Sequence, residues 1–399
     1  MTQFKPSLFA HMKAGLIVSM AIFSPGLFAQ INALDPVWKH TLSDELQGRV
    51  YQTIVLSGDT PRLLATTSDE VFMIQQGKPS SLFRLQETDS IGQSAILPSR
   101  FVGGPGQLPQ IAVLNHNHHA VESFQLMDVA GNAVYKQDDP RHFYYRISPK
   151  GDSYVGIDSG NVHTALAAEK VTYRFFNLEN RKAAPIEVIS EQPSLNFDSA
   201  YSPDGKVFFI NSQVSGLTGY NPMTGQRLWS IQRPASRFAA SSDMVLMAEQ
   251  GSRNVASLWR AGKPAGMFDL HGVGLKENIR NVAVSPNGKY GVITGRQHAI
   301  AINTDTGGTK VFPFGDGFAI NSVDVNDAGL VAIGGQSDKL THGIVKFANI
   351  EQAKSTPAEI RLEHRRSNAW IPMVKFGGLG ELLTVRTMEE IQLYSIVTK

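Results

Sequence analysis

The chain has 399 residues, of which 42% are hydrophobic and 18% charged, and this composition excludes an intrinsically disordered protein. The formal net charge is only +2 and no basic run with interleaved aromatic residues occurs, so the sequence favours neither nucleic acid nor a membrane surface as partner. Cysteine is absent, which excludes disulfide bonds, a cysteine nucleophile and the lipid anchor of a bacterial lipoprotein.

The first 29 residues have the pattern of a secretory signal peptide. Lys5 and Lys13 precede an apolar run at residues 14–23, and small residues follow up to Ala29. The run is too short to span a bilayer as an ordinary helix, although an N-terminal membrane anchor is the alternative. We therefore predict cleavage after Ala29, with Ala33 as the second choice, and a mature protein in the bacterial periplasm or outside the cell.

A short turn recurs along the rest of the chain. Its clearest copies are Ser148-Pro149-Lys150-Gly151, Ser202-Pro203-Asp204-Gly205 and Ser285-Pro286-Asn287-Gly288. Proline presets φ at the second position, and glycine supplies the positive φ that reverses the chain. Looser copies lie around Gly58, Gly104, Asp243, Gly329 and Gly378. The copies are spaced by roughly 46 residues, which is the length of one blade of a β-propeller.

Each copy of the turn belongs to a set of four strand candidates. In the fourth copy these are residues 199–201, 207–211, 216–220 and 226–231, and in the fifth they are 237–240, 244–248, 255–259 and 266–270. We therefore predict an all-β fold, a single β-propeller domain over residues 30–399 with eight four-stranded blades. Seven blades are the alternative, if residues 98–136 form an elaborated loop.

The two ends of the mature chain complement each other. After Gly378 the sequence holds only two strand candidates, residues 381–385 and 391–396, which leaves the last blade one strand short. Residues 37–42 form a spare strand candidate near the N-terminus. We expect this N-terminal strand to complete the last blade and close the ring, because closure removes exposed sheet edges.

Two segments carry a family resemblance. Thr224-Gly225-Gln226-Arg227-Leu228-Trp229 resembles the end of a quinoprotein-type blade, and Val282-Ala283-Val284-Ser285-Pro286-Asn287-Gly288-Lys289 resembles the inner strand and turn of the YVTN type. The chain thus resembles the extracytoplasmic, WD40-like β-propeller repeat proteins. It is also similar in size to the propeller subunit of the outer-membrane barrel-assembly machinery, a family that is usually lipid-anchored through a cysteine. The resemblance implies the fold and not one function, because such propellers include dehydrogenases, lactonases and scaffolds.

The histidines are expected on one side of this fold. In a propeller, the loops between second and third strands emerge on the same side as the connections between blades, and we call this side the histidine face. The histidines expected there are His116, His118, His119, His142, His163, His271, His298, His342 and His364. Among them, His116, His118 and His119 are close enough in sequence to share a zinc or copper ion, and a solvated loop is the alternative.

Four arginines, Arg49, Arg141, Arg237 and Arg280, immediately precede inner strands. They are expected at the mouth of the central channel on the histidine face, where their planar donor forks would favour a carboxylate or phosphate. The alternative is that they pair with acids such as Asp139, Asp198 or Glu277 and hold blades together.

No catalytic motif occurs: the sequence has no G-x-S-x-G elbow, no H-E-x-x-H and no phosphate-binding loop before a helix. Asp324, Asn326 and Asp327 lack the spacing of a calcium loop, which favours a polar turn. We predict an exported, non-enzymatic binding or scaffolding propeller, monomeric and without a required cofactor. Its protein partner or anionic ligand would bind the histidine face, through Arg49, Arg141, His142, His163, Arg237, His271 and Arg280. The alternative is a periplasmic enzyme of the lactonase or quinoprotein type, with a metal or cofactor at the channel mouth.

Overall fold

The computed structural model describes residues 36–47, 50, 52–56, 60–85, 89–96, 110–116, 121–138, 144–158, 170–191, 199–249, 252–339, 342–352, 358–363, 372–377 and 380–396, without the side chains of 89–96, 116, 121 and 363. Residues Ile31–Val397 form one compact unit. The predicted signal peptide lies outside the described residues. Within the described ranges, the chain has no helix with the length and hydropathy needed to cross a membrane.

The described chain is built from strands in eight antiparallel four-stranded blades. After β1 (Trp38–Thr41), blade 1 comprises β2 (Gln52–Leu56), β3 (Arg62–Thr66), β4 (Glu70–Gln75) and β5 (Lys78–Arg84). Blade 2 comprises β6 (Asp89–Ile96), β7 (Ile111–His116), β8 (Val121–Met127) and β9 (Ala133–Asp138). Blade 3 comprises β10 (Tyr144–Ile147), β11 (Ser153–Asp158), β12 (Lys170–Asn177) and β13 (Ile186–Glu191). Blade 4 comprises β14 (Ser199–Tyr201), β15 (Phe208–Ser212), β16 (Gly216–Tyr220) and β17 (Arg227–Ile231).

The second half of the chain repeats this plan. Blade 5 comprises β18 (Arg237–Ala240), β19 (Met244–Glu249), β20 (Val255–Arg260) and β21 (Lys263–Asp269). Blade 6 comprises β22 (Asn281–Val284), β23 (Tyr290–Thr294), β24 (His298–Asn303) and β25 (Thr309–Pro313). Blade 7 comprises β26 (Phe318–Val325), β27 (Leu330–Ser337), β28 (His342–Asn349) and β29 (Ala358–Glu363). Blade 8 comprises β30 (Met373–Gly377), β31 (Leu382–Arg386), β32 (Glu390–Ser395) and the N-terminal β1.

Eight blades are therefore confirmed. The seven-blade alternative is wrong, because residues 98–136 contain β7, β8 and most of β9, which pair as strands of blade 2. Apart from one strand, the predicted strands given above match the observed ones to within one residue at each end. The largest difference is at 266–270, where the outer strand of blade 5 runs instead from Lys263 to Asp269. Ala261 and Gly262, with φ of 46° and 74°, form a tight turn that starts this strand early.

The repeated turn has the backbone that its sequence predicts. Gly151, Gly205, Gly288 and Gly329 all have φ between 70° and 75°. In the last copy the positive φ is found at Gly380 (91°). Gly58, Gly104 and Gly378 lie outside the described residues. The residues in these turns therefore reverse the chain between inner and second strands in the same way from blade to blade.

The N-terminal strand closes the ring, as predicted. β1 pairs antiparallel with β32, with Trp38 opposite Leu393 and Thr41 opposite Glu390. Backbone hydrogen bonds extend this pairing at both ends, from Val37 N to Leu393 O (2.7 Å) and from Leu42 N to Glu389 O (2.8 Å). The outermost strand of blade 8 thus comes from the opposite end of the chain to the other three.

The hydrophobic core lies between neighbouring blades. In one cluster the ring of Tyr154 stacks between Phe124 and Phe176, at 4.3 Å from each ring centre. In another, Phe209 of blade 4 packs with Val245 and Met247 of blade 5. The inner strands β2, β6, β10 and β14 contact each other in sequence, as do β18, β22, β26, β30 and β2. The eight blades are therefore joined in a closed ring with the inner strands around the centre.

Candidate functional site: the histidine face

The two ends of the blades carry different kinds of chain segment. One end, which we call the turn face, holds the turns that join first to second and third to fourth strands. The histidine face holds the remaining loops and the connections between blades. Asn254, in the loop before β20, shows how these segments meet, since its side-chain amide donates to the carbonyls of Leu275 (3.1 Å) and Glu277 (2.7 Å) in the connection to blade 6.

On the turn face, polar groups are engaged between consecutive blades. A Cβ at Gly205 would lie 2.7 Å from Oγ of Ser148, so the turns of blades 3 and 4 approach closely. The backbone N of Asn287 donates to Oδ1 of Asp327 (2.9 Å), which joins blades 6 and 7. The side-chain amide of Asn326 donates to the carbonyl of Gly380 (3.0 Å), which joins blades 7 and 8. This face is organised to hold the ring together.

The acidic segment at residues 324–327 is part of that organisation. Asp324 is buried, and its Oδ2 accepts a hydrogen bond from Phe376 N (2.8 Å) and lies 3.2 Å from Nζ of Lys375. Both partners belong to β30, so Asp324 links blades 7 and 8. The described residues contain no cluster of three potential metal ligands. The contacts of Asp324, Asn326 and Asp327 are those of a polar turn and an inter-blade joint.

On the histidine face, Glu277 joins the connection between blades 5 and 6 to the next loop. Its carboxylate accepts hydrogen bonds from the backbone N of Gln297 (2.9 Å) and of His298 (2.9 Å). It also lies 3.1 Å from Nδ1 of His298. Burial alone would raise the pKa of Glu277, but these hydrogen bonds outweigh it and lower the pKa below its usual value. The ionised form is therefore the one that this loop is built to hold.

Two of the predicted arginines are described, and they lie at the histidine-face ends of adjacent inner strands. Arg237 is the first residue of β18 and Arg280 immediately precedes β22, and these two inner strands contact each other. Both side chains are exposed. Arg237 donates from Nη1 to the carbonyl of Ser236 (3.0 Å), and Arg280 reaches the carbonyl of Ile320 at 3.5 Å. Within the described part of the chain, neither forms an ion pair with a carboxylate.

The other predicted site residues divide into two groups. His271 lies in the connection after β21, where its backbone N donates to the carbonyl of Asn254 (3.1 Å). His116 ends β7, and only its backbone is described. Outside the described residues lie Arg49, His118, His119, Arg141, His142 and His163, together with the acids Asp139 and Asp198. The zinc or copper site at His116, His118 and His119 stays a prediction.

Two cations on inner strands were missed as candidate residues. Arg146 of β10 donates from Nε to the carbonyl of Ser199 in the next blade (3.1 Å). Lys375 of β30 pairs with Asp324, while more than half of its side chain stays exposed. They are detectable in the sequence as charged residues inside otherwise apolar inner-strand segments. With Arg237, they give the described inner-strand side chains an excess of positive charge, because Asp324 is the one carboxylate among them.

No protein-family model and no curated protein sequence matches the chain at a significant level. Among solved structures, BamB from Moraxella catarrhalis is similar, with a TM-score of 0.56 at 11% identity, covering 91% of this chain and 99% of that chain. The C-terminal WD40 domain of Sif2 has a TM-score of 0.61 at 10% identity, covering 91% and 98%. Sqt1 from Chaetomium thermophilum, bound to the N-terminus of ribosomal protein L10, has 0.57 at 12% identity, covering 91% and 100%. At these identities the likeness shows the β-propeller fold alone.

Proposed function

We propose that the protein is an exported, non-enzymatic binding or scaffolding propeller that engages a protein partner or an anionic ligand through its histidine face. The observation that carries this proposal is the contrast between the two faces. On the turn face, Asn287, Asp327 and Asn326 bond to neighbouring blades. On the histidine face, Arg237 and Arg280 are exposed and contact only carbonyl oxygens among the described residues. Loops on a rigid scaffold are the usual place for binding residues.

The solved propellers of similar fold support binding as a use for this architecture. Sqt1 is described in complex with the N-terminus of a ribosomal protein, so a propeller of this shape can hold a segment of another protein. The resemblance to scaffold propellers of the bacterial cell envelope points the same way. For this chain the proposal depends on the difference between its turn face and its histidine face, since fold alone does not assign function.

A face-specific comparison of partner binding tests the proposal. The immobilised protein is incubated with extract of its native host, and the captured partner is quantified for wild type and for a variant with Arg237, His271 and Arg280 replaced by alanine. The matched control replaces the exposed turn-face residues Lys150 and Lys206 by alanine. We expect the histidine-face variant to lose the partner while keeping its melting temperature. Loss in the control and retention in the histidine-face variant would contradict the proposal.

Export is proposed from residues 1–29 and is tested separately. We expect protein purified from the native host to begin near Gln30 and to be recovered without detergent, because the apolar segment is too short for an ordinary spanning helix. N-terminal sequencing is the measurement. An intact Met1 in the membrane fraction would contradict export and would favour an anchored protein.

A further inference from the structure

We infer that the histidine-face end of β18 and β22 binds an acidic peptide segment of the partner, with carboxylates accepted by Arg237 and Arg280. The inference rests on the proposed function and adds the chemical class of what is bound. We call this pair of guanidinium groups the arginine pair. Among the described residues, no carboxylate forms an ion pair with either guanidinium group.

The backbone holds the arginine pair in place. Arg237 lies opposite Ala248 in the pairing of β18 with β19. The backbone N of Arg280 donates to the carbonyl of Thr294 (2.7 Å), next to the first pair of β22 with β23. Both residues thus start from anchored positions at the same end of adjacent inner strands. Their guanidinium groups extend from a rigid platform rather than from a long loop, which lowers the entropic cost of binding.

The acids around the arginine pair already have partners. Glu277 accepts hydrogen bonds from the loop at Gln297 and His298. Three further carboxylates on the same face are each beside another arginine: Glu249 is 3.9 Å from Arg233, Asp269 is 3.6 Å from Arg253, and Asp338 is 2.7 Å from Arg296. The described neighbours therefore do not neutralise Arg237 or Arg280. A carboxylate supplied from outside would give Arg237 and Arg280 the kind of partner that Arg233, Arg253 and Arg296 have within the chain.

The surroundings favour a peptide over a free anion or a nucleic acid. Val214, which is 62% exposed, lies in the loop between β15 and β16. That loop packs on the connection to β18, since a Cβ at Gly216 would lie 2.5 Å from Arg233 N. An exposed apolar side chain on the same face, in the blade that precedes Arg237, suits a peptide that carries apolar side chains as well as carboxylates. A net charge of +2 without a basic run offers little to a nucleic-acid backbone.

Fluorescence anisotropy with a labelled hexaglutamate peptide tests the inference. Wild-type protein is compared with R237Q/R280Q, which removes both charges and keeps polar side chains, and with K150Q/K206Q, which removes the same charge from the turn face. We expect hexaglutamate to bind wild type and hexaglutamine not to bind. R237Q/R280Q should weaken binding by about tenfold or more, since each arginine makes a charge-assisted hydrogen bond. K150Q/K206Q should change binding by less than about twofold, because distant exposed charges are screened.

Three results would overturn the inference: no binding of hexaglutamate to wild type, equal binding to R237Q/R280Q, or equal losses in the two double variants. The choice of a peptide would also be overturned if inorganic phosphate bound more tightly than hexaglutamate and if R237Q/R280Q lost that phosphate binding. The proposed function fails on a different result, which is capture of the native partner by the histidine-face alanine variant. If the native partner requires the histidine face but hexaglutamate does not bind, the acidic class of ligand is wrong. The proposal that this face binds a partner would then still hold.

Discussion

At the scale of single residues, the histidine face depends on polar side chains that each hold a separate segment of chain. Asn254 fixes the carbonyls of Leu275 and Glu277, and Glu277 then fixes the backbone of Gln297 and His298. A buried or half-buried polar group is stabilising only when it is fully hydrogen-bonded, and these groups satisfy one another. The result is a hydrogen-bonded frame close in sequence to Arg280, built mainly from loop segments and the first residue of β24.

Replacing Glu277 by glutamine should reduce the loss of folding stability that the protein shows as pH falls. The pKa of Glu277 is lower in the folded state than its usual 4.5, so the carboxylate contributes stability that is complete above pH 4.5 and is lost as pH falls through the folded pKa. We expect E277Q to melt below wild type at pH 7, with a difference that shrinks below pH 4.5. Thermal unfolding from pH 7 to pH 3 measures this.

Glu179 provides the control for that experiment. It is exposed in the turn between β12 and β13, so E179Q removes the same charge without breaking the contacts of Glu277. Its melting temperature should follow wild type at every pH. If the difference between E277Q and wild type were the same at pH 7 and pH 3, Glu277 would act through its shape and not through its charge.

At the scale of elements, the outer turns hold each blade against the previous one. Gly262, in the turn between β20 and β21, lies against Trp229 on the outer strand of blade 4. A Cβ at this position would lie 2.6 Å from Cβ of Trp229. Gly77 and Gly131 also face the preceding blades, where a Cβ would lie 3.1 Å from the carbonyl O of Lys39 and 3.3 Å from Cβ of Phe83. The outer strands are therefore linked around the ring by turns as well as by the core.

Two glycine variants separate the backbone cost from this inter-blade contact. Gly262 and Gly307 both lie in outer turns, with φ of 74° and 73°, but nothing lies within 4 Å of a Cβ at Gly307. We expect G307A to cost about 1 kcal/mol for the left-handed backbone alone. G262A should cost about 1–3 kcal/mol more, because Trp229 must move. Urea unfolding measures the free energy of unfolding of both variants. Equal losses of stability would mean that the turn of blade 5 can shift without disturbing blade 4.

The sequence predicts what is local in these elements and misses what is not. The turns at Gly151, Gly205 and Gly288 follow from residue types at adjacent positions, so their backbone and the eight blades were predictable. The contact of Gly262 with Trp229 joins different blades, and no local pattern encodes it. The contacts of Glu277 are also non-local. From the sequence, Glu277 is a candidate ion-pair partner for an arginine that starts an inner strand. The fold brings it to Gln297 and His298 instead, because the connection to blade 6 passes beside that loop.

At the scale of the whole molecule, the ring depends on one short strand from the far end of the chain. β1 pairs with β32 and covers a strand whose Ile391 and Leu393 are fully buried. It also contacts blade 1, where Nδ1 of His40 lies 3.1 Å from the carbonyl of Gly77. Since β1 touches both the last and the first blade, it joins the two ends of the repeat array and helps to fix the geometry of the ring.

Deleting residues 30–43 should therefore open the ring. The edge of β32 would lose its partner, the side chain of Trp38 would leave the core, and blades 8 and 1 would separate more easily. We expect a much lower melting temperature than a terminal deletion normally causes, together with self-association through the exposed strand edge. Circular dichroism and light scattering after size exclusion measure the two effects. Deletion of residues 30–35 alone is the control, because it leaves β1 intact. A monomer with an unchanged melting temperature after the longer deletion would mean that the ring does not depend on β1.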